Sequence, residues 1–273
     1  MARRHVLLRS LLFLGVLTTT VWTAPSVQAA PETVTIAAAN SLRDAFRKIL
    51  PLFEAHNKDF TVRVIYGPSL TLSKQIEEGA PIDVFLPSQV EEIDQLEQKG
   101  LVIQGTRRVY ASTSLVLIAG PELPAPIASA QDLRTTLIRY IAIGDPKTSS
   151  VGKVAAQYLK YSKLDSQLKS QLVYGEHSRA VLDLVVKGEA DLGVVYRTDA
   201  VSNKKIRIID EAPVDSHSPV YYGVAAVWTA KNISGAGDFI NFLGRPEIQT
   251  LLQDHGFDRI AEPVGVAQRQ EGQ

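Results

Sequence analysis

Thr33 to Phe46 reads TVTIAAANSLRDAF. The β-branched run Val34, Thr35 and Ile36 predicts a strand. It shrinks to Ala37, Ala38 and Ala39, passes through Asn40 and Ser41, and becomes a helical pattern with Leu42, Ala45, Phe46 and Ile49 on one face. Small side chains at the strand end let the backbone come close to another body. Ser41 at the helix start is an expected N-cap, and the free N–H groups of the first turn point outward. That is the geometry of an anion site, though a serine in this place is also an ordinary cap.

The device recurs along the chain. Phe60 to Tyr66 alternates like a strand, Leu72 to Glu78 predicts a short helix stopped by Gly79, and Val84 to Leu86 a buried strand. Ser88 is expected to cap a helix from Gln89 to Lys99, ended by Gly100. A similar module follows, with strands at Ser114–Ala119, Tyr140–Ile143, Gln171–Tyr174 and Leu192–Tyr196 and helices at Val151–Tyr161 and Arg179–Lys187. Tyr221 to Trp228 predicts a long apolar strand, and two helices, Ala236–Leu243 and Pro246–Asp254, complete the pattern. Alternating strand and helix predicts an α/β fold with mainly parallel sheets. Two half-size modules suggest two lobes facing a cleft, with the strands near 110–119 and 217–228 crossing between them as a hinge. A single continuous sheet is the alternative reading.

Residues 1–29 read as an export signal. Arg3, Arg4 and Arg9 charge its start, Leu11 to Trp22 is an apolar core too short to span a membrane, and Val27-Gln28-Ala29 is a small-x-small cleavage site. The mature protein is expected to begin at Ala30, with 26 basic against 29 acidic groups once the three arginines are removed. This balance leaves no basic footprint for nucleic acid. With no cysteine anywhere in the chain, neither a disulfide nor a lipid-bearing Cys is available, so a freely soluble periplasmic product is expected.

Three further junctions carry the same donor-rich chemistry as Asn40-Ser41. Gly67-Pro68-Ser69 leads into a helix, Gly144 to Gly152 (GDPKTSSVG) does so again, and Glu176-His177-Ser178-Arg179 precedes another. Together with GEADLGVVYRTDA (188–200) and YYGVAAV (221–227), these motifs resemble, in order and spacing over nearly the whole mature chain, the periplasmic molybdate-binding proteins of molybdate ABC importers. The resemblance implies a two-lobe periplasmic-binding-protein fold, with lobe 1 formed by 30–112 and 226–273 and lobe 2 by 113–225. It implies an oxyanion held in the interlobe cleft by Ser41 and Ser69 through hydroxyl and backbone N–H, by Val151 and Ser178 through the backbone, and by the Tyr196 hydroxyl. Asn40, which replaces an alanine of some relatives, is a possible further donor. Ser150-Val151-Gly152 stands where many relatives have Pro-Ala-Gly.

The resemblance also implies a monomeric binding protein and no enzyme, with no cofactor, no protein ligand to the metal itself, and a membrane permease as partner. Molybdate and tungstate at neutral pH are bare dianions whose oxygens only accept hydrogen bonds. Neutral donors satisfy them without the desolvation of a buried counter-charge. Hydrogen phosphate also requires an acceptor, which the implied set lacks unless Asp145 or Glu176 turns inward. Sulfate is a bare dianion too and is the same-fold alternative. The remaining chemistry is thin: His56, His177, His217 and His255 are scattered singly, no serine sits in a GxSxG elbow, and Arg179 is expected to pair with a carboxylate or face solvent.

Overall fold

A computed structural model describes residues 30–121, 123 and 127–260. The expected signal at 1–29, the tail after 260 and most of the Pro-rich connector lie outside the described residues. The first half runs β1 (Glu32–Ala39), α1 (Arg43–His56), β2 (Phe60–Gly67), α2 (Ser69–Glu77), β3 (Val84–Leu86), α3 (Glu91–Gln98) and β4 (Arg108–Thr113). The second runs β5 (Leu115–Ala119), β6 (Ile141–Gly144), α4 (Ser150–Tyr161), β7 (Leu172–Gly175), α5 (Ser178–Val186), β8 (Leu192–Tyr196), α6 (Arg197–Ala200) and β9 (Arg207–Glu211). The chain then returns through β10 (Val220–Ala226), α7 (Ile233–Leu243) and α8 (Pro246–Asp254).

Two five-stranded sheets form, ordered β2-β1-β3-β10-β4 and β7-β6-β8-β5-β9. In each, three parallel strands lie beside two more, the nearer of which runs antiparallel to them. This is the expected two-lobe α/β fold, and the single-sheet reading is overturned. The burial of each strand follows its place. Residues 34–39 of the inner strand β1 are all buried, whereas β2 at the edge alternates between half-buried and exposed. The apolar face of α1 packs on α7, where the Phe53 ring meets Phe239 edge-on at 5.2 Å and Phe46 meets it at 6.0 Å.

The lobes join where β4 becomes β5 across Ser114, so the first crossover is one extended run. The second passes through 212–219, between β9 and β10. The expected second lobe, 113–225, therefore ends too late: β10 pairs with β3 and β4 throughout its length, which puts Val220–Ala225 in the first sheet. Periodicity marks a strand but not the sheet that receives it. β9 was not anticipated, because a charged edge strand with little burial shows no clean alternation. Ser88 does not cap a helix, since α3 begins at Glu91 after an N-cap at Val90.

Asp83 stitches the first lobe together. Buried at the start of β3, its carboxylate accepts from Thr35 N at 2.7 Å, Lys231 N at 2.7 Å and Asn232 N at 3.0 Å. It thus ties β1 to the turn that launches α7. Asp83→Ala leaves these backbone donors unpaired and should destabilise the fold by about 3 kcal/mol or more, read as a lowered midpoint in denaturant unfolding.

Candidate functional site

The carboxyl ends of β1, β2 and β3 face those of β6, β7 and β8, and each end feeds a turn rich in hydroxyl and N–H groups. Ala39, Asn40, Ser41, Gly67, Pro68, Ser69 and Ser88 from the first lobe and Ser149, Ser150, Val151, His177, Ser178 and Tyr196 from the second line one cavity. All six residues singled out in the sequence, Asn40, Ser41, Ser69, Val151, Ser178 and Tyr196, are among them. The cavity measures about 20 Å³, far below the several hundred Å³ of a typical organic-ligand pocket. It has room for one compact ion.

The hydroxyls are oriented by what they accept. A serine oxygen carries one proton and two lone pairs, so a donor bonded to a lone pair frees the proton for another partner. Ser41 and Ser69 cap nothing through their side chains. Instead, Ser41 Oγ accepts from Tyr222 Oη at 2.8 Å, and Ser69 Oγ accepts from Ser88 N at 3.0 Å and lies 3.1 Å from Ser88 Oγ. Asn40 Oδ1 accepts from Arg43 at 3.2 Å, which leaves the amide N–H groups as its offer to the cavity. Arg43 itself stacks on the Tyr66 ring at 4.3 Å. Tyr196 Oη is buried without a hydrogen-bond partner, and burial pushes its pKa far up, so it stays a neutral donor.

Backbone donors complete the set. The first helical rungs are Leu72 N to Pro68 O, Lys153 N to Ser149 O and Val181 N to His177 O, so the amides of Ser69, Ser150, Val151 and Ser178 precede them at the positive ends of α2, α4 and α5. Ser178 Oγ accepts from Tyr196 N at 3.1 Å, and its backbone amide is among the free N–H groups of the first turn of α5. Gly144 and Gly152 bring α4 against β6: a Cβ on Gly152 would lie 2.5 Å from Gly144 O and 2.6 Å from Asp145 O.

Sequence reasoning missed Ser88, Ser149, Ser150 and His177 as lining residues. Ser88 follows the end of a strand, the same placement as Ser41 and Ser69, and that signal was available. His177 caps α5, its Nδ1 accepting from Ala180 N at 3.0 Å, and burial lowers its pKa. The ring is therefore neutral with its proton on Nε2.

Among the described residues, no Asp, Glu, Lys or Arg lines the cavity. Asp145 accepts from Lys147 N at 2.9 Å and Glu176 is exposed, so neither turns inward. Arg179 pairs with carboxylates, as expected. It bonds Asp44 across the cleft at 2.5 Å and lies 3.7 Å from buried Asp199. Burial pushes the Asp44 carboxyl up, but the hydrogen bond and charge of Arg179 outweigh it and hold the group below the usual carboxylate range. Among the described residues, no cluster of His, Cys, Asp and Glu could hold a metal ion, and no helix is long and apolar enough to cross a membrane.

A family profile described as bacterial extracellular solute-binding protein matches residues 34–258. The molybdate-binding protein ModA of Haemophilus influenzae is 32% identical over 232 residues, covering 84% of this chain and 91% of the relative. Among solved structures, the periplasmic molybdate-binding protein of Azotobacter vinelandii superposes with a TM-score of 0.74 at 19% identity, over 82% of this chain and 98% of that one. The sulfate-binding protein SubI of Mycobacterium tuberculosis superposes with a TM-score of 0.73 at 19% identity, over 84% and 88%. At such identities the two structures speak to the fold alone.

Because the Gly144–Gly152 contact sets the first turn of α4, Gly152→Ala must displace that turn. The variant should lose about 1–3 kcal/mol of stability, measured as a drop in melting temperature relative to the parent chain.

Proposed function

Because the chain belongs to the bacterial extracellular solute-binding proteins, we propose that it captures molybdate, and tungstate as well, in the cavity between its lobes and delivers it to the permease of an ABC importer. One observation carries the ligand class: a small, buried cavity lined by hydroxyl and N–H groups and by no ionised side chain. A fully deprotonated tetrahedral oxyanion has only acceptors to offer, and this lining meets it with oriented donors. Helix N-termini from both lobes add partial positive charge, on the order of half a unit each. A protonated anion such as hydrogen phosphate also needs an acceptor in the lining, ordinarily a carboxylate.

Ser41, Ser69, Val151, Ser178 and Tyr196 hold the oxyanion in this reading, with Asn40 adding a donor through its amide. Donors from both lobes bind the same small ion, so the ligand favours the closed arrangement, which a permease can distinguish from the open one. We place the protein in the periplasm as a monomer, after cleavage near Ala29, with no nucleic-acid partner and no membrane insertion. The relatives named ModA support molybdate. Sulfate remains the second reading because it shares the bare dianionic form and because a sulfate-binding protein has a similar fold. Selection between them has to come from cavity size, since molybdate has the longer bonds to oxygen.

Thermal melts with sodium molybdate test the assignment. The parent chain should gain melting temperature with molybdate or tungstate, excess sulfate should leave that gain in place, and Ser41→Ala combined with Ser69→Ala should abolish it. A full shift in the double variant defeats the assigned site, and displacement of molybdate by sulfate moves the function to sulfate.

A further inference from the structure

A carboxyl group waits one bond behind the donor-lined cavity. Glu92, in the first turn of α3, is only 2% exposed, and its Oε1 accepts from Ser150 Oγ at 2.7 Å. Its Oε2 is buried with no hydrogen-bond partner. Glu92 belongs to the first lobe and Ser150 to the second, so the bond crosses the cleft. Ser150 both lines the cavity and opens α4, the helix whose first turn contains Val151.

We propose that Glu92 is a positioning residue of the anion site: through Ser150 it docks the first turn of α4 onto the first lobe, so that ligand capture and lobe closure share one hydrogen bond. This rests on the oxyanion-capture reading. A buried carboxyl whose second oxygen has no partner is best accommodated with a proton on it. Burial pushes the Glu92 pKa up to about 7, against the opposing pull of the Ser150 hydrogen bond and the Lys153 charge. When the lobes part, Ser150 leaves and water returns, and the carboxyl reverts toward its ordinary value near 4.5.

The closed state therefore holds more protons between those two values, and closing takes up a proton. Binding of a ligand that favours closure strengthens as pH falls through 7. Going from pH 8 to pH 6, the gain is about tenfold in affinity, while molybdate stays a dianion. The groups facing Glu92 are Lys153 on α4, Tyr196 on β8 and Glu91 on its own helix. Asp94, in the same first turn, is engaged by Arg107, and Lys99, at the other end of that helix, by Glu77. Asp199, beyond the cavity beside Ser178 and Arg179, is a second buried carboxyl that burial raises, to about 6.

Calorimetric titration of the mature chain with sodium molybdate at pH 6 and pH 8 tests this, with each titration repeated in buffers of different ionisation heat to count protons. The expected results are an affinity ratio of about tenfold in the parent and proton uptake at pH 6. Glu92→Gln keeps the size and the acceptor for Ser150, and should reduce the ratio to less than about twofold and remove the uptake. Ser150→Ala, which breaks the same bond from the other lobe without touching a carboxyl, should weaken binding more at pH 8 than at pH 6, because the hydroxyl favours the ionised form of Glu92. Asp199→Asn should keep the greater part of the ratio. A slope unchanged in Glu92→Gln, or transferred whole to Asp199, overturns the role of Glu92 while leaving capture intact. No molybdate binding at either pH overturns the capture reading and this inference with it.

Discussion

Every parallel strand that turns into a helix at its carboxyl end leaves backbone N–H groups with no partner inside the helix. This fold gathers such ends from two sheets around one point. The first turns of α2, α4 and α5 and the turn after β1 all open on the same small cavity. An isolated helix start would simply be hydrated. Brought together and shielded from water, the amides become a fixed field of positive dipoles that favours one compact anion. The placement of the serines, the close approach of α4 to β6 and the crossover at Ser114 all serve that convergence.

Neutral donors need orienting, and the supporting groups do this. Tyr222, from the returning strand β10, donates to Ser41 and stacks edge-on against Tyr196 of the other lobe with ring centroids 6.2 Å apart. The Ser88 amide holds Ser69, and the Tyr196 amide holds Ser178. Full charges are kept outside the lining. Arg179 is held between Asp44 and Asp199, and Arg43 is stacked on an aromatic face. A lysine or arginine in the cavity would attract any anion indiscriminately and would be costly to desolvate whenever the site is empty. Pairing Arg179 with Asp44 across the cleft instead links the lobes.

The element order was legible because strand and helix periodicities alternate cleanly from Val34 to Tyr196. The junctions after β1, β2, β6 and β7 were legible because Asn, Ser and Gly cluster there against long apolar runs. Ser88 was misread because a serine ahead of an acidic helix resembles a cap, and only the position of α3 shows that the helix starts later. β9 was missed because its charged residues obscure alternation, and β10 was assigned to the wrong lobe because pairing partners leave no local mark.

The sequence by itself determined the α/β class, the order of elements, the near-neutral charge, the absence of cysteine and the chemical type of the site, since these depend on local periodicity and residue chemistry. Tertiary structure alone decided that Asn40, Ser41, Ser69, Val151, Ser178 and Tyr196 share one cavity. It also decided that Tyr222 orients Ser41 from 181 residues away and that Glu92 meets Ser150 across the cleft from 58 residues away. The reason is physical. A hydroxyl's partner, a carboxyl's burial and hence its proton are set by which surfaces pack together, and packing between lobes is invisible to any window of neighbouring residues.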